Sequence, residues 1–322
     1  MSVVVTGGSG VVGGAVVRHL IAAGRSVRAL SRGEASDEAL RTLGARPVRG
    51  DITMPETLGP AFEDADVVYH AAGLNTMCPL DPGALELVNV EGSVAVVRAA
   101  AAAGVRRIVY TSSAASIGEP AGTVGSEATT HRGSYLSHYE RSKHLAEMAV
   151  FDAAGAVEVV SVNPSSVQGP GRATGTGGLI LDLIRGRLPG LVDTRLSVVD
   201  IDDCARGHLL AEVKGAPGER YILNSFTMTM REAVSVLEGV LGREVSVRWV
   251  PGWVASVGVL PVEGVARLRG RRPRMCREMV RTMRHGHAYD GSRATTALGL
   301  EYTTAHDLLG RLVGWFRSEG LL

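Results

Sequence analysis

An α/β fold, a doubly wound parallel sheet with a smaller, mostly C-terminal substrate-binding lobe, is what this 322-residue sequence predicts. Three observations point to it. The chain opens on a short apolar run that passes through a glycine turn into a helical pattern. Apolar runs of strand length then alternate with helical patterns as far as residue 162, and beyond about residue 165 that alternation stops.

Ser2-Val3-Val4-Val5-Thr6 suits a buried parallel strand, and Gly7-Gly8-Ser9-Gly10-Val11-Val12-Gly13 leads from it into a helix ending near Ala23. The spacing is Thr-Gly-x-x-Gly-x-x-Gly at Thr6, Gly7, Gly10 and Gly13. Glycine is needed if the backbone is to turn tightly and approach a pyrophosphate, while the helix N-terminus offers its unpaired N–H groups to the anion. A chain with 41 glycines produces such spacings by accident, but this one sits at the first strand-to-helix turn, which favours a nucleotide site over a plain turn.

Further strands are expected at Val27 to Leu30, Pro47 to Arg49, Asp66 to His70, Ile108 to Ser112 and Val157 to Val162, with helices over Asp37 to Leu43, Pro55 to Glu63, Ala84 to Ala103 and Tyr135 to Ala154. Right-handed crossovers make these strands parallel and place the ligand crevice outside their carboxyl ends. Gly7, Ser31, Asp51, His70 and Ser113 all lie at such ends and therefore converge.

From Asn163 to Gly171 the chain reads as a turn-rich loop. A helix near Leu179 to Ile184, a strand near Leu196 to Ile201, a helix from Asp202 to Val213, strands at Tyr221 to Leu223 and Val245 to Trp249, and a final helix from Ala305 to Ser318 with Thr304 as N-cap follow. Residues 1–165 are thus expected to form the dinucleotide-binding portion and 166–322 mainly the substrate-binding portion, with a return to the sheet near 195–225. No repeat or low-complexity linker separates them, so one compact unit with a cleft is expected.

Composition narrows the function. A 45% hydrophobic chain with formal net charge +1 fits a soluble globular protein and gives no reason to expect nucleic-acid binding. Cys78, Cys204 and Cys276 lie far apart without metal-ligand spacing, which argues against a disulfide framework or zinc site and for a reducing compartment. Neither a signal peptide nor an apolar run long enough to span a membrane is evident, so a cytoplasmic protein is expected.

Chemistry enters with Tyr139 and Lys143, which share one face of their expected helix. Bringing a phenol from a pKa of about 10 to near 7 takes roughly 4 kcal/mol of preferential stabilisation of the phenolate, and a nearby ammonium can supply much of it. Of 34 basic residues only Lys143 and Lys214 are lysine, so with seven tyrosines about 0.04 such pairs are expected by chance.

Several stretches together carry a resemblance: Thr6 to Gly13, Gly50-Asp51-Ile52, His70-Ala71-Ala72-Gly73, Asn89-Val90-Glu91-Gly92, Tyr110-Thr111-Ser112-Ser113, Tyr139 to Lys143 and Asn163-Pro164-Ser165. From end to end the chain resembles the extended short-chain dehydrogenase/reductase superfamily, the NAD-dependent epimerase/dehydratase family, with a Rossmann-type sheet. Gly218 to Leu223 and Gly270 to Pro273 are similar to the group holding dihydroflavonol reductase, 3β-hydroxysteroid dehydrogenase and hopanoid-associated sugar epimerase-like proteins. The resemblance implies a Ser113, Tyr139, Lys143 triad, with Ser112 the rival serine, Tyr139 as acid/base and Lys143 both lowering the tyrosine pKa and holding the nicotinamide ribose. It implies cofactor contacts from Thr6, Gly7, Gly10, Val11, Val12 and Gly13, from Asp51 and Ile52 at the adenine, from Ala71, Ala72 and Gly73, from Asn163, and from the loop Pro164, Ser165, Ser166 and Val167 beside the nicotinamide. Asn89 matches a family asparagine or is structural, and His70 reads as a packed histidine.

The implied reaction is hydride transfer between a nicotinamide and a carbon bearing oxygen, with no metal. Sugar-nucleotide relatives carry an arginine where this chain has Leu196, and Arg195 is one residue out of register, so a carbonyl reductase or alcohol dehydrogenase is favoured over a sugar-nucleotide epimerase or dehydratase. A cofactor-binding sensor is the third reading. Where an acid would hold the ribose hydroxyl of NAD(H), Ser31 and Arg32 stand, and both can donate to a 2′-phosphate, so NADP(H) is expected, with NAD(H) possible; Glu34 or Asp37 supplies the acid if the strand ends later. A homodimer through the helices at Ala84 to Ala103 and Tyr135 to Ala154 is implied by the resemblance. The segment from Trp249 to His287 joins an apolar stretch, Trp253 to Val262, to eight arginines and reads as a lid helix with a solvated basic face, or alternatively as an apolar substrate mouth near an anionic membrane or substrate group, with weak peripheral membrane contact through residues 253–284.

Overall fold

The computed structural model describes residues 2–171, 173 and 175–322. Ten strands are described: β1 (Val3–Thr6), β2 (Val27–Ser31), β3 (Arg46–Arg49), β4 (Val67–His70), β5 (Arg107–Thr111), β6 (Glu158–Pro164), β7 (Ser166–Gln168), β8 (Arg195–Asp200), β9 (Arg220–Leu223) and β10 (Phe226–Thr229). The α-helices are α1 (Val11–Ala22), α2 (Glu34–Thr42), α3 (Gly59–Phe62), α4 (Gly83–Glu86), α5 (Gly92–Ala102), α6 (His138–Ala153), α7 (Thr176–Ile184), α8 (Ile201–Lys214), α9 (Met230–Leu241), α10 (Gly252–Leu268), α11 (Arg277–His285) and α12 (Ala305–Ser318).

Seven strands form one parallel sheet in the order β3-β2-β1-β4-β5-β6-β9. The order reverses between β1 and β4, which opens a crevice at their carboxyl ends. Because side chains alternate across a strand, Val3 and Val5 of β1 enter an apolar layer with Val16, Leu20 and Ala211, while Val4 enters the opposite layer with Phe62, Val96, Ile108 and Val150. Both faces of β1 are covered, which is why it reads as an unbroken valine run.

The C-terminal half is woven back into this frame. β8 feeds α8, whose Glu212 takes the Arg25 guanidinium at 2.6 Å and whose Asp202 meets His19 at 3.2 Å beside α1. β9 then adds to β6 as the seventh strand. A second sheet, β10-β8-β7, carries the remaining lobe, whose core gathers Leu181, Leu237, Leu308, Leu312 and Phe316.

Several expectations are corrected. The Pro55 to Glu63 helix is a 3-10 turn, Pro55–Thr57, followed by the single turn α3, since Pro60 within Gly59-Pro60 supplies no N–H to a continuous ladder. A π-helical turn, Leu87–Glu91, joins α4 to α5. Tyr135 and Leu136 lie outside α6, which Ser137 caps by accepting from the Glu140 N–H. Val245 to Trp249 is not a strand and makes one bridge, Trp249 to Leu191. β7 lies inside the segment expected to be loop, and β10 has no counterpart among the expected strands.

The cysteines differ from expectation. Cys78 and Cys276 form a disulfide across 198 residues, with Cα atoms 5.8 Å apart, and Cys204 is free and buried. Sequence spacing cannot reveal it, because the fold brings the loop after β4 against the turn before α11. The cysteines therefore no longer speak for a reducing compartment. No helix among the described residues is long and apolar enough to cross a membrane. The solvent face of α10, expected to be basic, is apolar, and seven of the eight arginines, all but Arg267, follow the helix in sequence.

Candidate functional site

The glycine turn sits at the carboxyl end of β1, and its glycines are sterically required. Gly7 has φ +73°, and a Cβ there would lie 2.5 Å from the Ala72 nitrogen; one on Gly13 would lie 2.7 Å from the Gly7 carbonyl carbon. Gly10, the N-cap of α1, has no side chain to offer, so the first N–H groups of α1 face the crevice uncapped. A cradle of backbone with no room for side chains at a helix N-terminus fits a dinucleotide's pyrophosphate. The Thr6 hydroxyl is spent inside the protein, on His70 Nδ1 at 2.7 Å and on the Ala72 N–H. Val11 and Val12 open the helix, and Ala71, Ala72 and Gly73 run from β4 past the cradle.

At the end of β2 the two expected ligands differ. Ser31 is buried, and its hydroxyl bonds the Gly33 carbonyl at 3.1 Å and receives Arg49 Nη1 at 3.3 Å. Arg32 is exposed, and its side chain makes no hydrogen bond or ion pair among the described residues. Asp37 is taken by Arg49 in a bidentate pair, at 3.0 and 2.7 Å, and its carboxyl is held below the ordinary range by Ser31 and by the arginines. Glu34 is exposed in the first turn of α2. Asp51 turns its carboxylate onto Thr53, at 2.9 and 2.8 Å, and Ile52 is buried against Gly92.

Tyr139 and Lys143 share a face of α6. Lys143 is buried, and Nζ donates to the Thr111 carbonyl at 2.9 Å and to the Tyr110 hydroxyl at 3.3 Å. Burial pulls its pKa down to about 8, while the Glu147 carboxylate pulls the other way. Tyr110 is fully buried, and burial reinforced by Glu147 pushes its phenol far above the usual tyrosine value, so it stays protonated. Tyr139 is only half-buried and couples electrostatically to Tyr110 and Tyr289.

Ser113 caps the short 3-10 turn Ala114–Ile117, accepting from the Ala115 N–H at 3.2 Å, and is half-exposed. Ser112, the rival, is buried with its hydroxyl toward Ser116 at 3.5 Å. The Ser113 carbonyl is held by Ser116 at 2.8 Å and by the Asn163 amide at 3.3 Å. Asn163 itself is fully buried on Glu147, Ser116 and Ser161, so its side chain supports the Ser113 turn rather than facing the crevice. Pro164 ends β6, the Ser165 N–H bonds the Leu223 carbonyl, and Ser166 and Val167 belong to β7.

Asn89 lies in the π-helical turn and stitches three pieces together. It accepts from the Leu74 N–H at 2.7 Å and donates to the Leu74 carbonyl and to Ser142 on α6. His70 is fully buried between Thr6 and Ser93, and burial lowers it to about 3, so it is a neutral packing residue. Leu196 packs in the apolar cluster of the C-terminal lobe.

Three groups are not found by the sequence reading. Glu147 lies one further turn along the Tyr139, Lys143 face and receives Ser116, Ser161 and Asn163 on one oxygen and Arg220 on the other. A second four-residue step along the helix is the signal that could have found it. Tyr110, under Lys143, stands in the motif stretch that ends at Ser113, but the motif assigns it no role. Glu119 is the third: buried, it meets His287 Nδ1 at 2.6 Å and His285 Nε2 at 3.5 Å, with Tyr289 Oη at 2.9 Å from His287. The ligand atoms of Glu119, His285 and His287 lie within 4.8 Å of one another, a spacing compatible with a metal ion as well as with this hydrogen-bonded cluster. Arg132 donates to the Glu119 carbonyl and pairs with Glu140. Residues 119 and 285–289 are too far apart in sequence to be connected without the fold.

The model of the NAD dependent epimerase/dehydratase family matches residues 3–223. A Synechocystis protein carrying the name dihydroflavonol 4-reductase is 33% identical, over 98% of this chain and 94% of its own length. Sterol demethylase protein B of Methylococcus capsulatus is 30% identical over the full length of both. Among solved structures, that of gox2253 is 32% identical with a TM-score of 0.86, covering 100% of this chain and 99% of the other.

Proposed function

Because the chain belongs to the NAD dependent epimerase/dehydratase family, we propose that it is an NADP(H)-preferring oxidoreductase that interconverts a ketone or aldehyde and an alcohol on a small organic molecule. The observation that carries this reading is Lys143, a buried ammonium that lies one helical turn from a half-buried Tyr139 and donates to the Thr111 carbonyl at the carboxyl end of β5, the sheet edge that also holds the glycine turn. When bound, the nicotinamide supplies or accepts the hydride.

The chain manages the proton. Below a pH of about 8 Lys143 is charged, and its field favours the Tyr139 phenolate, so Tyr139 can give a proton to a substrate oxygen in reduction and take one in oxidation. Tyr110 cannot replace it, because its own phenol is held protonated. Ser113 accepts from the Ala115 N–H and so keeps its O–H to donate to the same substrate oxygen. Gly7, Gly10 and Gly13 would take the pyrophosphate, Asp51 and Ile52 the adenine end, and Ala71 to Gly73 with Pro164 to Val167 the remainder. Arg32 would take a 2′-phosphate, and the neutralisation of Asp37 by Arg49 removes the nearby acid that would oppose it.

A leucine packed at position 196, where sugar-nucleotide enzymes carry an arginine, favours a substrate without a nucleoside diphosphate. Residues 1–165 would serve the cofactor and 166–322 mainly the substrate. A homodimer through α4, α5 and α6 is part of this reading, and light scattering at the monomer mass would remove it; a cytoplasmic location is likewise part of it. The central test is Tyr139→Phe, assayed with NADPH and a panel of sterol, polyketide-like and sugar substrates. Turnover should vanish while NADPH still binds in a fluorescence titration. Activity within a few fold of the parent would remove Tyr139 from the mechanism.

A further inference from the structure

The helix α10 is built inside out. At 100° per residue, Trp253, Val254, Val257, Leu260, Val265 and Leu268 fall on one continuous face, and that face looks into solvent. Trp253 is 67% exposed, Val257 61% and Leu268 90%. The helix's one acid, Glu263, is buried against the protein, where it takes Arg267 at 2.9 Å and Arg277 at 3.3 Å. A surface helix ordinarily presents the reverse, so this face needs a covering.

Charge says what covers it. From residue 252 to 284 there are eight arginines against two glutamates, Glu263 and Glu278, although the whole chain is nearly neutral. Arg269, Arg271 and Arg274, all exposed, follow Leu268 closely, and their guanidiniums make no hydrogen bond or ion pair among the described residues. Their neighbours are committed: Arg272 donates to the Met77 carbonyl, Arg281 to the Leu136 carbonyl and Arg284 to Ser256. An apolar face bordered at one end by unpaired guanidiniums matches the boundary between acyl chains and anionic headgroups. A second copy of this chain would bring like charges together around the same patch.

We propose that α10 docks this protein on an anionic lipid bilayer, its apolar face in the headgroup-acyl boundary and Arg269, Arg271 and Arg274 on lipid phosphates. The docked segment is fastened to the dinucleotide-binding portion by the Cys78–Cys276 disulfide and by the Arg272 contact to Met77. Leu260 also lines a cavity of about 440 Å³ between α10 and α11 with Leu136, Val259, Val280 and His285, and Leu136 is three residues from Tyr139. This inference is independent of the proposed reaction and would survive its failure.

The test uses the full chain and vesicles of phosphatidylcholine with or without about one third phosphatidylglycerol, followed by co-sedimentation. The parent should bind the anionic vesicles and lose binding as salt rises. Replacing Arg269, Arg271 and Arg274 together by Gln should weaken partitioning by about 100-fold. Leu268→Ser with Trp253→Ser should weaken it at low salt as well, and lipids brominated near the headgroup should quench tryptophan fluorescence in the parent but not in that variant. All five positions are exposed, so melting temperatures should be unchanged. Absence of binding, equal binding by the arginine variant, or a dimer in light scattering that Leu268→Ser with Trp253→Ser dissolves would overturn the proposal.

Discussion

Glu147→Gln should lower the pKa of Lys143, although the two residues are not in direct contact. Burial holds Lys143 at about 8 and the Glu147 charge works upward, so neutralising Glu147 leaves desolvation unopposed. For charges at the spacing of about 6 Å usual for helix positions i and i+4, and at an effective dielectric of about 20, the interaction is about 3 kcal/mol, or about 2 pKa units. Arg220, on the same carboxylate at 3.1 Å, cancels part of that field, which leaves a fall of about 1 unit. The chain has only two lysines, so a lysine labelled with 13C at Cε gives two NMR signals, and Lys214, exposed and bonded to the Leu298 carbonyl, serves as control. The Lys143 midpoint should move from about 8 toward about 7, and the alkaline limb of kcat/KM should fall with it. A Lys143 signal that titrates like a free lysine, or one that Glu147→Gln leaves in place or raises, would refute the electrostatic reasoning.

Three further outcomes are expected. Lys143→Met should abolish turnover and weaken cofactor binding yet stabilise the fold. The folded pKa of about 8 lies below the unfolded value, so the cost of burying the ammonium is fully present below about 8 and is relieved as pH rises toward the unfolded pKa; removing it should raise stability at neutral pH by up to about 3 kcal/mol in urea unfolding, and a loss of stability would count against the burial argument. Arg32→Ala should erode the NADPH over NADH ratio of kcat/KM by about 1 to 3 kcal/mol, and an unchanged ratio would show that this loop does not read the 2′-phosphate. Gly13→Ala should remove cofactor binding and cost about 1 to 3 kcal/mol of stability, because its Cβ would collide with the Gly7 carbonyl, whereas near-parental NADPH affinity would contradict the cradle.

The sheet is legible in the sequence because both of its faces are covered: a strand buried on both sides must be apolar throughout most of its length, and β1 and β4 are. The lobe is less so. β7 and β10 are three and four residues long and carry serine, threonine and glutamine, since they sit in a small half-exposed sheet where burial does not dictate composition. Val245 to Trp249 has strand chemistry but only one backbone partner, Leu191, so its propensity goes unused. The disulfide is misread for a related reason, because cysteine spacing measures the chain while pairing depends on which loops the fold brings together.

At the site, the legible residues are those whose role is a local backbone constraint or a helical step. Gly7 and Gly13 are required by atoms within the same turn or the adjacent strand end, and the four-residue spacing of Tyr139 and Lys143 puts them on one face of α6. What fixes Ser113 is different in kind. Its carbonyl depends on Asn163, Asn163 depends on Glu147, and Glu147 returns to α6 four residues past Lys143. This closed circuit of buried polar groups ties β6 to the serine turn and to the Tyr139, Lys143 helix, so that the three proposed catalytic groups share one support. Each member, taken singly in sequence, is an ordinary polar residue, and its value arises only because leaving any partner buried and unpaired would be costly. The motif counts Asn163 among the cofactor contacts, yet its side chain braces the serine turn, which shows the limit of assigning a role by motif: the motif gives the position, and the neighbours decide which way the side chain works.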